Sequence, residues 1–158
     1  MESIFTYKSN ETVSEPLNLR ILNELQKEPR LSMTKLGKIV GLSPPAVTER
    51  VRRLEDLGII KGYRLEIEPA ALGLPLMAFI RVRPHSGQQL PKIMELAQSI
   101  PEISECHRVT GEDCFIIKVY LPNLGQLDRI LDEFLRYGTT TTSLVQSSPV
   151  SLRPPPLP

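Results

Sequence analysis

The sequence has few of the residues that form disulfides, metal sites and enzyme centres. It contains only two cysteines, Cys106 and Cys114, so no disulfide framework is indicated and we expect both thiols to be reduced. The two histidines, His85 and His107, lie in different predicted elements with no cysteine pair nearby, which is not metal-site spacing. No nucleophile-base pair is evident, and the glycine-rich phosphate loops are absent. These absences argue against an enzyme, a cofactor and a metal.

The sequence also lacks a long apolar run. No stretch approaches the roughly 18 apolar residues that a membrane span requires, and residues 1–14 have no apolar segment of the signal-peptide type. We therefore expect a cytoplasmic protein without a membrane partner. Hydrophobic residues at 41% and charged residues at 23% are ordinary for a folded chain, and 158 residues allow one domain or two small ones.

The small net charge of +1 conceals an uneven distribution. Between Pro16 and Arg64 there are ten basic and five acidic residues, whereas from Leu65 onward there are eight basic and ten acidic residues. An excess of positive charge confined to the first half suggests that this half binds a polyanion, although a solvated basic face would produce the same count.

The first half predicts three short helices. The first runs from about Glu15 to Glu28, and the second begins at the N-cap Ser32 and ends before Gly41. Gly41 suits the bend between two crossed helices because glycine adopts a left-handed backbone without steric penalty. Gly37, four residues earlier, lets the second and third helices approach closely. The order of these features along the chain favours a helix-turn-helix over a plain three-helix bundle.

The third helix is the predicted recognition helix. Ser43 caps it, Pro44 occupies its first turn, and Val47, Val51 and Leu54 form its inward face. Stepping of 100° per residue then directs four residues toward the bases of a DNA groove, which are Pro45, Thr48, Glu49 and Arg52.

Other residues near this helix are assigned to the DNA backbone. Ser43 and Arg53 are expected at phosphates, whereas Arg50 either contacts phosphate or braces Glu55. Residues 59–65 are predicted to form a short strand, as a wing or the start of a linker, with Lys61 near the backbone or simply exposed.

The second half alternates in the order strand, helix, strand, strand, helix, strand. Met94 belongs to the apolar face of the first of these helices and Leu124 to that of the second, Gly138 is predicted to end the second helix, and the last strand is predicted over Thr139–Val150. This order predicts an α+β protein with a ferredoxin-like βαββαβ domain behind the helix-turn-helix. Neither face of the first strand is clearly polar, so we expect the open sheet face to be covered by dimerisation. The predicted segments are a mobile extension (1–14), a DNA-binding domain (15–60), a hinge strand (61–73), a sensing and oligomerisation domain (74–151) and a proline-rich tail (152–158).

The chain resembles the Lrp/AsnC, or feast/famine, family of prokaryotic regulators over about residues 16–150. The likeness lies in the segments Arg20-Ile21-Leu22, Gly41-Leu42-Ser43-Pro44, Arg50-Val51-x-Arg53-Leu54-Glu55 and Val109-Thr110-Gly111, and in Gly58-Ile59-Ile60-x-Gly62-Tyr63. The resemblance implies a regulator of metabolic genes that binds double-stranded DNA. It also implies homodimers, higher homo-oligomers such as an octamer, and an amino-acid effector bound between dimers.

The resemblance places the effector site at a turn between two strands and at a later helix end. The implied residues are Thr110, Gly111, Asp113, Cys114, Gly138 and Thr140. Amides of a glycine turn can hold a carboxylate, and an acidic side chain can hold an ammonium group. However, family members that bind amino acids often have an aspartate where this chain has Cys114, so a tight turn at a subunit contact is the alternative. Asn18 also replaces a common acidic residue, without expected loss of function.

Three functions therefore remain to be distinguished. The leading hypothesis is a sequence-specific regulator that responds to a small molecule, and the second is an architectural protein that compacts DNA without an effector. The third is an enzyme that uses the ferredoxin-like half as a scaffold, which the lack of an acid-base or nucleophile pair disfavours.

Overall fold

The computed structural model describes residues 11–157, with side chains from residue 13 onward, and they form two compact units. One unit contains the chain up to Leu65 together with the tail from Leu152, and the other spans Glu66–Ser151. None of the described helices is long and apolar enough to cross a membrane.

The first unit is built from helices α1 (Glu11–Ser14), α2 (Pro16–Lys27), α3 (Met33–Val40) and α4 (Pro44–Asp56). The predicted mobile extension is therefore helical over its last four residues, where Val13 packs against the core, while residues 1–10 lie outside the described part. The two predicted N-caps are confirmed: the Ser32 hydroxyl accepts from the amide of Lys35 at 3.3 Å, and that of Ser43 from Ala46 at 3.4 Å.

The turn between α3 and α4 has the predicted glycine geometry. Gly41 is left-handed, with φ of 79° and ψ of 34°. A Cβ atom on Gly37 would lie 2.6 Å from the carbonyl oxygen of Leu42, so the close approach at this position excludes any side chain. The predicted apolar faces meet in one core, whose buried members are Ile21, Leu22, Leu25, Leu31, Leu36, Val40, Val47, Val51 and Leu54.

The strand predicted over residues 59–65 does not form. The amides of Ile59 and Ile60 instead donate to the carbonyl of Leu54 at 2.9 and 3.0 Å, and the chain from Lys61 to Glu68 has no regular structure. The hinge then contains a short 3₁₀ turn at Pro69–Leu72. A strand requires a partner for its amides and carbonyls, and no described strand pairs with this segment.

The second unit has the predicted βαββαβ order, with β1 (Leu76–Pro84), α5 (Leu90–Ser99), β2 (Ile103–Arg108), β3 (Phe115–Leu121), α6 (Leu124–Leu135) and β4 (Gly138–Leu144). The four strands form one antiparallel sheet in the order β2-β3-β1-β4. The ferredoxin-like prediction is therefore confirmed.

Several details of this unit differ from the sequence prediction. Met94 and Leu124, predicted to point inward, are 37% and 52% exposed, because α5 and α6 bury only their central apolar stripes. The last strand ends at Leu144 rather than Val150. Gly138 does not cap α6; it is the first residue of β4, where a Cβ atom would collide with the carbonyl of Arg83.

The two faces of the sheet differ in character. On β1, Ala78, Ile80 and Val82 are fully buried in the core shared with α5 and α6. Residues of the opposite parity, Phe79 and Arg81 among them, are exposed on the open face. The sequence did not show which face of this strand is buried, and the structure places Ala78, Ile80 and Val82 on the buried face.

Candidate DNA-contact surface and effector turn

The outward face of α4 carries the residues predicted to contact bases. Pro45, Thr48, Glu49 and Arg52 are all exposed. The Thr48 hydroxyl donates to the carbonyl of Pro44 at 2.7 Å, which leaves its lone pairs to accept a bond from outside. Arg52 Nε lies 3.9 Å from Asp56 Oδ2, and because both side chains are over 70% exposed, this pair is weak and the guanidinium is available.

An open groove of about 720 Å³ runs along the same side of α4. Thr48 and Arg52 line it together with Leu31 from the α2–α3 connection, Glu55 and Tyr63. The Tyr63 hydroxyl donates to Glu55 Oε1 at 3.2 Å. Burial, and then this bond, raise the pKa of Tyr63 above its ordinary value, so the phenol is neutral and holds the segment after α4 against the helix.

The predicted phosphate contacts lie at the two ends of α4. Ser43 is exposed at the N-terminus, where the helix dipole favours an anion, although Pro44 and Pro45 have no N–H and the amide of Ala46 already donates to the Ser43 hydroxyl. Arg53 is exposed in the last turn, and Lys61 is exposed in the irregular segment that follows. These positions are compatible with backbone contacts, which remain predictions.

Arg50 is engaged inside the unit. Its Nη1 atom donates to Glu15 Oε1 at 2.7 Å and to Asn18 Oδ1 at 3.1 Å, both near the start of α2. The hypothesis that Arg50 braces Glu55 is therefore wrong, because Glu55 accepts from Tyr63 instead.

The predicted effector turn joins β2 to β3. Gly111 has a φ of +119°, and the amide of Val109 donates to the carbonyl of Cys114 at 2.9 Å, which closes the turn. The Cys114 sulfur lies 3.9 Å from the carbonyl oxygens of Gly111 and Glu112. The thiol therefore points back into the turn, whereas Thr110 is exposed.

Arg83 is the residue of this region that the sequence did not single out. Its guanidinium pairs with Glu112, and its Nε lies 3.8 Å from Asp113 Oδ1. The acidic side chain expected to hold an ammonium group thus already has a cationic neighbour. Only strand pairing brings Arg83 here, since it lies 29 residues before Glu112 in the sequence.

Sheet register places the remaining effector candidates. Gly138 pairs with Pro84, and Phe115 pairs with Val82, so Gly138 and the β2–β3 turn lie at the same end of the sheet on opposite sides of β1. Thr140 is opposite Val82 and therefore shares the helix-covered face, whereas Thr139 is opposite Arg83. All six candidates thus lie at one end of the sheet, and the side chain of Thr140 is on its helix-covered face.

Comparison with known proteins agrees with both units. Residues 76–155 match the family model described as the Lrp/AsnC ligand binding domain, and residues 15–61 match a winged helix-turn-helix DNA-binding model. The transcriptional regulator LrpC of Bacillus subtilis is 35% identical over 84% of this chain and 92% of its own length. The leucine-responsive regulatory protein of Escherichia coli is 38% identical over 75% of this chain and 74% of its own.

A solved structure of similar fold carries a ligand. The feast or famine regulatory protein of M. tuberculosis, complexed with L-methionine, superposes with a TM-score of 0.84 at 27% identity, covering 91% of this chain and 99% of that one. The fold of both units and these matches agree, and the chain therefore belongs to the Lrp/AsnC family of helix-turn-helix transcription regulators.

Proposed function

We propose that this protein regulates transcription by binding specific double-stranded DNA sites through α4. The observation that carries the proposal is the exposed face of α4, where Thr48, Glu49 and Arg52 lie between the capped N-terminus at Ser43 and Arg53. An α-helix fits the major groove of DNA, where its hydrogen-bonding side chains can distinguish base edges. Cations near its end attract the phosphates independently of sequence.

Two adjacent arginines provide a matched test. A duplex is selected from a random-sequence pool by the unaltered protein, and its binding is compared with that of random DNA. We expect Arg52→Ala to weaken binding to the selected duplex by about tenfold or more and to affect random DNA little. Arg53→Ala should weaken binding to both DNAs similarly. It should also reduce the slope of log affinity against log salt by about one.

The alternative is an architectural protein that compacts DNA with little preference. This alternative predicts equal losses on the two DNAs for Arg52→Ala, and a pool selection that converges on no sequence. Either result would contradict site-specific regulation while leaving DNA binding itself intact. Because the relatives are transcriptional regulators, we propose no enzymatic role, and we place the protein in the cytoplasm, where a prokaryotic regulator meets chromosomal DNA.

We further propose that an amino acid modulates this activity at the β2–β3 turn. Support comes from the exposed glycine turn, from Asp113 with Arg83 beside it, and from the related protein complexed with L-methionine. Arg83 offers a partner for a carboxylate and Asp113 one for an ammonium group, provided that the ligand separates their ion pair.

A thermal-shift screen with the twenty amino acids tests the effector. A ligand that binds only the folded state raises the melting temperature, by the equivalent of about 2.7 kcal/mol at a hundred times its Kd. We expect Asp113→Asn to abolish the shift, and Asp128→Asn, an exposed change on α6, to preserve it. No shift with any amino acid would refute effector binding but not DNA binding.

The same unit carries the surface that we propose for assembly into homodimers and higher homo-oligomers such as an octamer. The open face of the sheet presents Met77, Phe79, Ile116 and Tyr120 at partial exposure. A charge on this face should oppose pairing of two sheets, so Phe79→Glu is expected to lower the mass measured by light scattering. An unchanged mass would exclude this face as the dimer contact.

A further inference from the structure

A closed polar network joins the start of α2 to the middle of α4. Arg50 donates to Glu15 and Asn18 through one nitrogen, at 2.7 and 3.1 Å. Asn18 Nδ2 in turn donates to the second oxygen of Glu15 at 3.2 Å. Each of the three side chains therefore bonds to both of the others.

The network reaches from the surface into the helical unit. Asn18 is 3% exposed, whereas the side chains of Arg50 and Glu15 are 34% and 44% exposed. Glu15 occupies the N-cap position of α2, where the helix dipole favours a negative charge. Since Asn18 is neutral, Glu15 supplies the charge that Arg50 requires, and a charge-assisted bond of this kind is stronger than a neutral one.

The position of Arg50 on α4 turns its side chain away from the DNA-contact face. Arg50 lies two residues from both Thr48 and Arg52, and two residues correspond to about 200° around an α-helix. Its guanidinium therefore points toward α2, on the side roughly opposite the predicted base contacts. The apolar neighbour Val51 is buried, but an apolar contact tolerates rotation that a directional bond resists.

We propose that Arg50 is a positioning residue for DNA recognition, held by Glu15 and Asn18 so that α4 presents Thr48 and Arg52 at a fixed rotation. This inference rests on the proposed function of α4 and assigns Arg50 a role other than phosphate contact. Loss of the network allows α4 to rotate or shift on α2, which misdirects base contacts. Phosphate attraction, which depends little on such precision, is retained.

Glu15→Gln is the decisive variant because the two roles predict opposite effects. If Arg50 positions α4, loss of the charge lowers the ratio of affinities for selected and random DNA by about three- to tenfold. If Arg50 contacts phosphate, releasing it from Glu15 strengthens binding to both DNAs. Glu24→Gln is the matched control, since Glu24 lies on the same helix but pairs with Lys27 at 2.6 Å, and we expect it to leave the ratio unchanged.

Salt dependence separates the roles a second time. Arg50→Gln should lower the affinity ratio while the slope of log affinity against log salt stays as in the unaltered protein. A slope reduced by about one, as expected for Arg53→Ala, would instead identify a phosphate contact and overturn the proposal. Arg50→Lys, which keeps the charge but loses the planar guanidinium, should recover part of the ratio.

A purely stabilising role is tested in the same experiment. All affinities are measured well below the melting temperature of each variant, so that every protein is folded. An unchanged affinity ratio for Glu15→Gln under these conditions would overturn the positioning role, and this variant decides even if Arg50→Gln fails to fold. Because Arg52→Ala tests site-specific binding independently, failure of the positioning role and failure of the proposed function give different results.

Discussion

At the scale of single residues, several of the basic side chains of the first half are bonded within the helical unit. Arg20 donates to the carbonyl of Ile39 at 2.9 Å, Lys27 pairs with Glu24, and Arg50 bonds to the start of α2. These cations stabilise the helical unit, and a count of basic residues therefore overstates the charge directed at DNA. Arg53 and Lys61 remain as exposed candidates for phosphate contact.

A second residue-scale feature leads to a pH prediction on the sheet. Hydrogen bonds from Lys118 at 3.1 Å and then from His107 at 3.3 Å hold the pKa of Glu105 below its ordinary value. A carboxyl whose pKa is lowered by folding stabilises the protein above its unfolded pKa, and this contribution is lost as pH falls through the folded pKa. Glu105 should therefore contribute near neutral pH and not in acid.

We expect Glu105→Gln to lower the free energy of unfolding by about 0.5 kcal/mol at neutral pH, a small value because the glutamate is partly exposed. Urea denaturation at neutral pH and again in acid, below the folded pKa, measures the effect. The difference from the unaltered protein should vanish in acid, whereas Glu95→Gln, on the exposed side of α5, should change little at either pH. An equal loss at both pH values would show that the ion pair is not its cause.

At the scale of elements, capping and close approach determine the helix-turn-helix more than helix propensity does. Ser32 and Ser43 satisfy amides at the starts of α3 and α4, and Gly41 ends α3 in the left-handed region. Gly37 lies inside α3, where alanine normally stabilises a helix. Its environment reverses that expectation, because a Cβ atom there would lie 2.6 Å from a backbone oxygen.

Gly37→Ala should therefore destabilise the protein, by about 1–3 kcal/mol, as expected for overpacking against backbone. Thermal unfolding followed by circular dichroism measures the loss. Gly87→Ala is the control, since a Cβ atom at Gly87 meets nothing within 4 Å and the backbone there is not left-handed. Stabilisation by Gly37→Ala would mean that α3 and the following turn can separate without penalty.

At the scale of the whole molecule, the end of the chain belongs to the helical unit. Residues 152–157 group with the chain up to Leu65, and Leu157 packs, partly buried, against the helix-turn-helix core. The intervening residues of the tail are exposed. Prolines restrict this segment to extended conformations, which reduces the entropy lost when Leu157 is held in place.

We expect Leu157→Ser to destabilise the helical unit by about 1 kcal/mol, roughly half the value of a fully buried leucine. Leu152→Ser, at a residue of the same tail that is 73% exposed, should have little effect. Differential scanning calorimetry of the full chain compares the two variants. Equal melting temperatures would show that contact with Leu157 contributes nothing to stability.

The elements of this protein were predictable because their causes are local. Apolar spacing, serine caps and Gly41 identified the three main helices of the first unit, and the alternation of elements predicted the ferredoxin-like second unit. The prediction of a strand after α4 was wrong because an apolar segment forms a strand only where a partner strand is available. Similarly, α5 and α6 bury less of their apolar faces than their periodicity suggests.

The sequence by itself determined the two-part architecture, the exposed face of α4 and the family, since each depends on residue type and short-range spacing. Only the tertiary structure decided that Arg50 bonds to Glu15 and that Arg83 faces Asp113. These residues are 35 and 30 positions apart. Arg50 and Glu15 come together because α2 packs on α4, and Arg83 and Asp113 come together because β1 pairs with β3. A hydrogen bond of about 3 Å forms only after such packing has brought the two residues close.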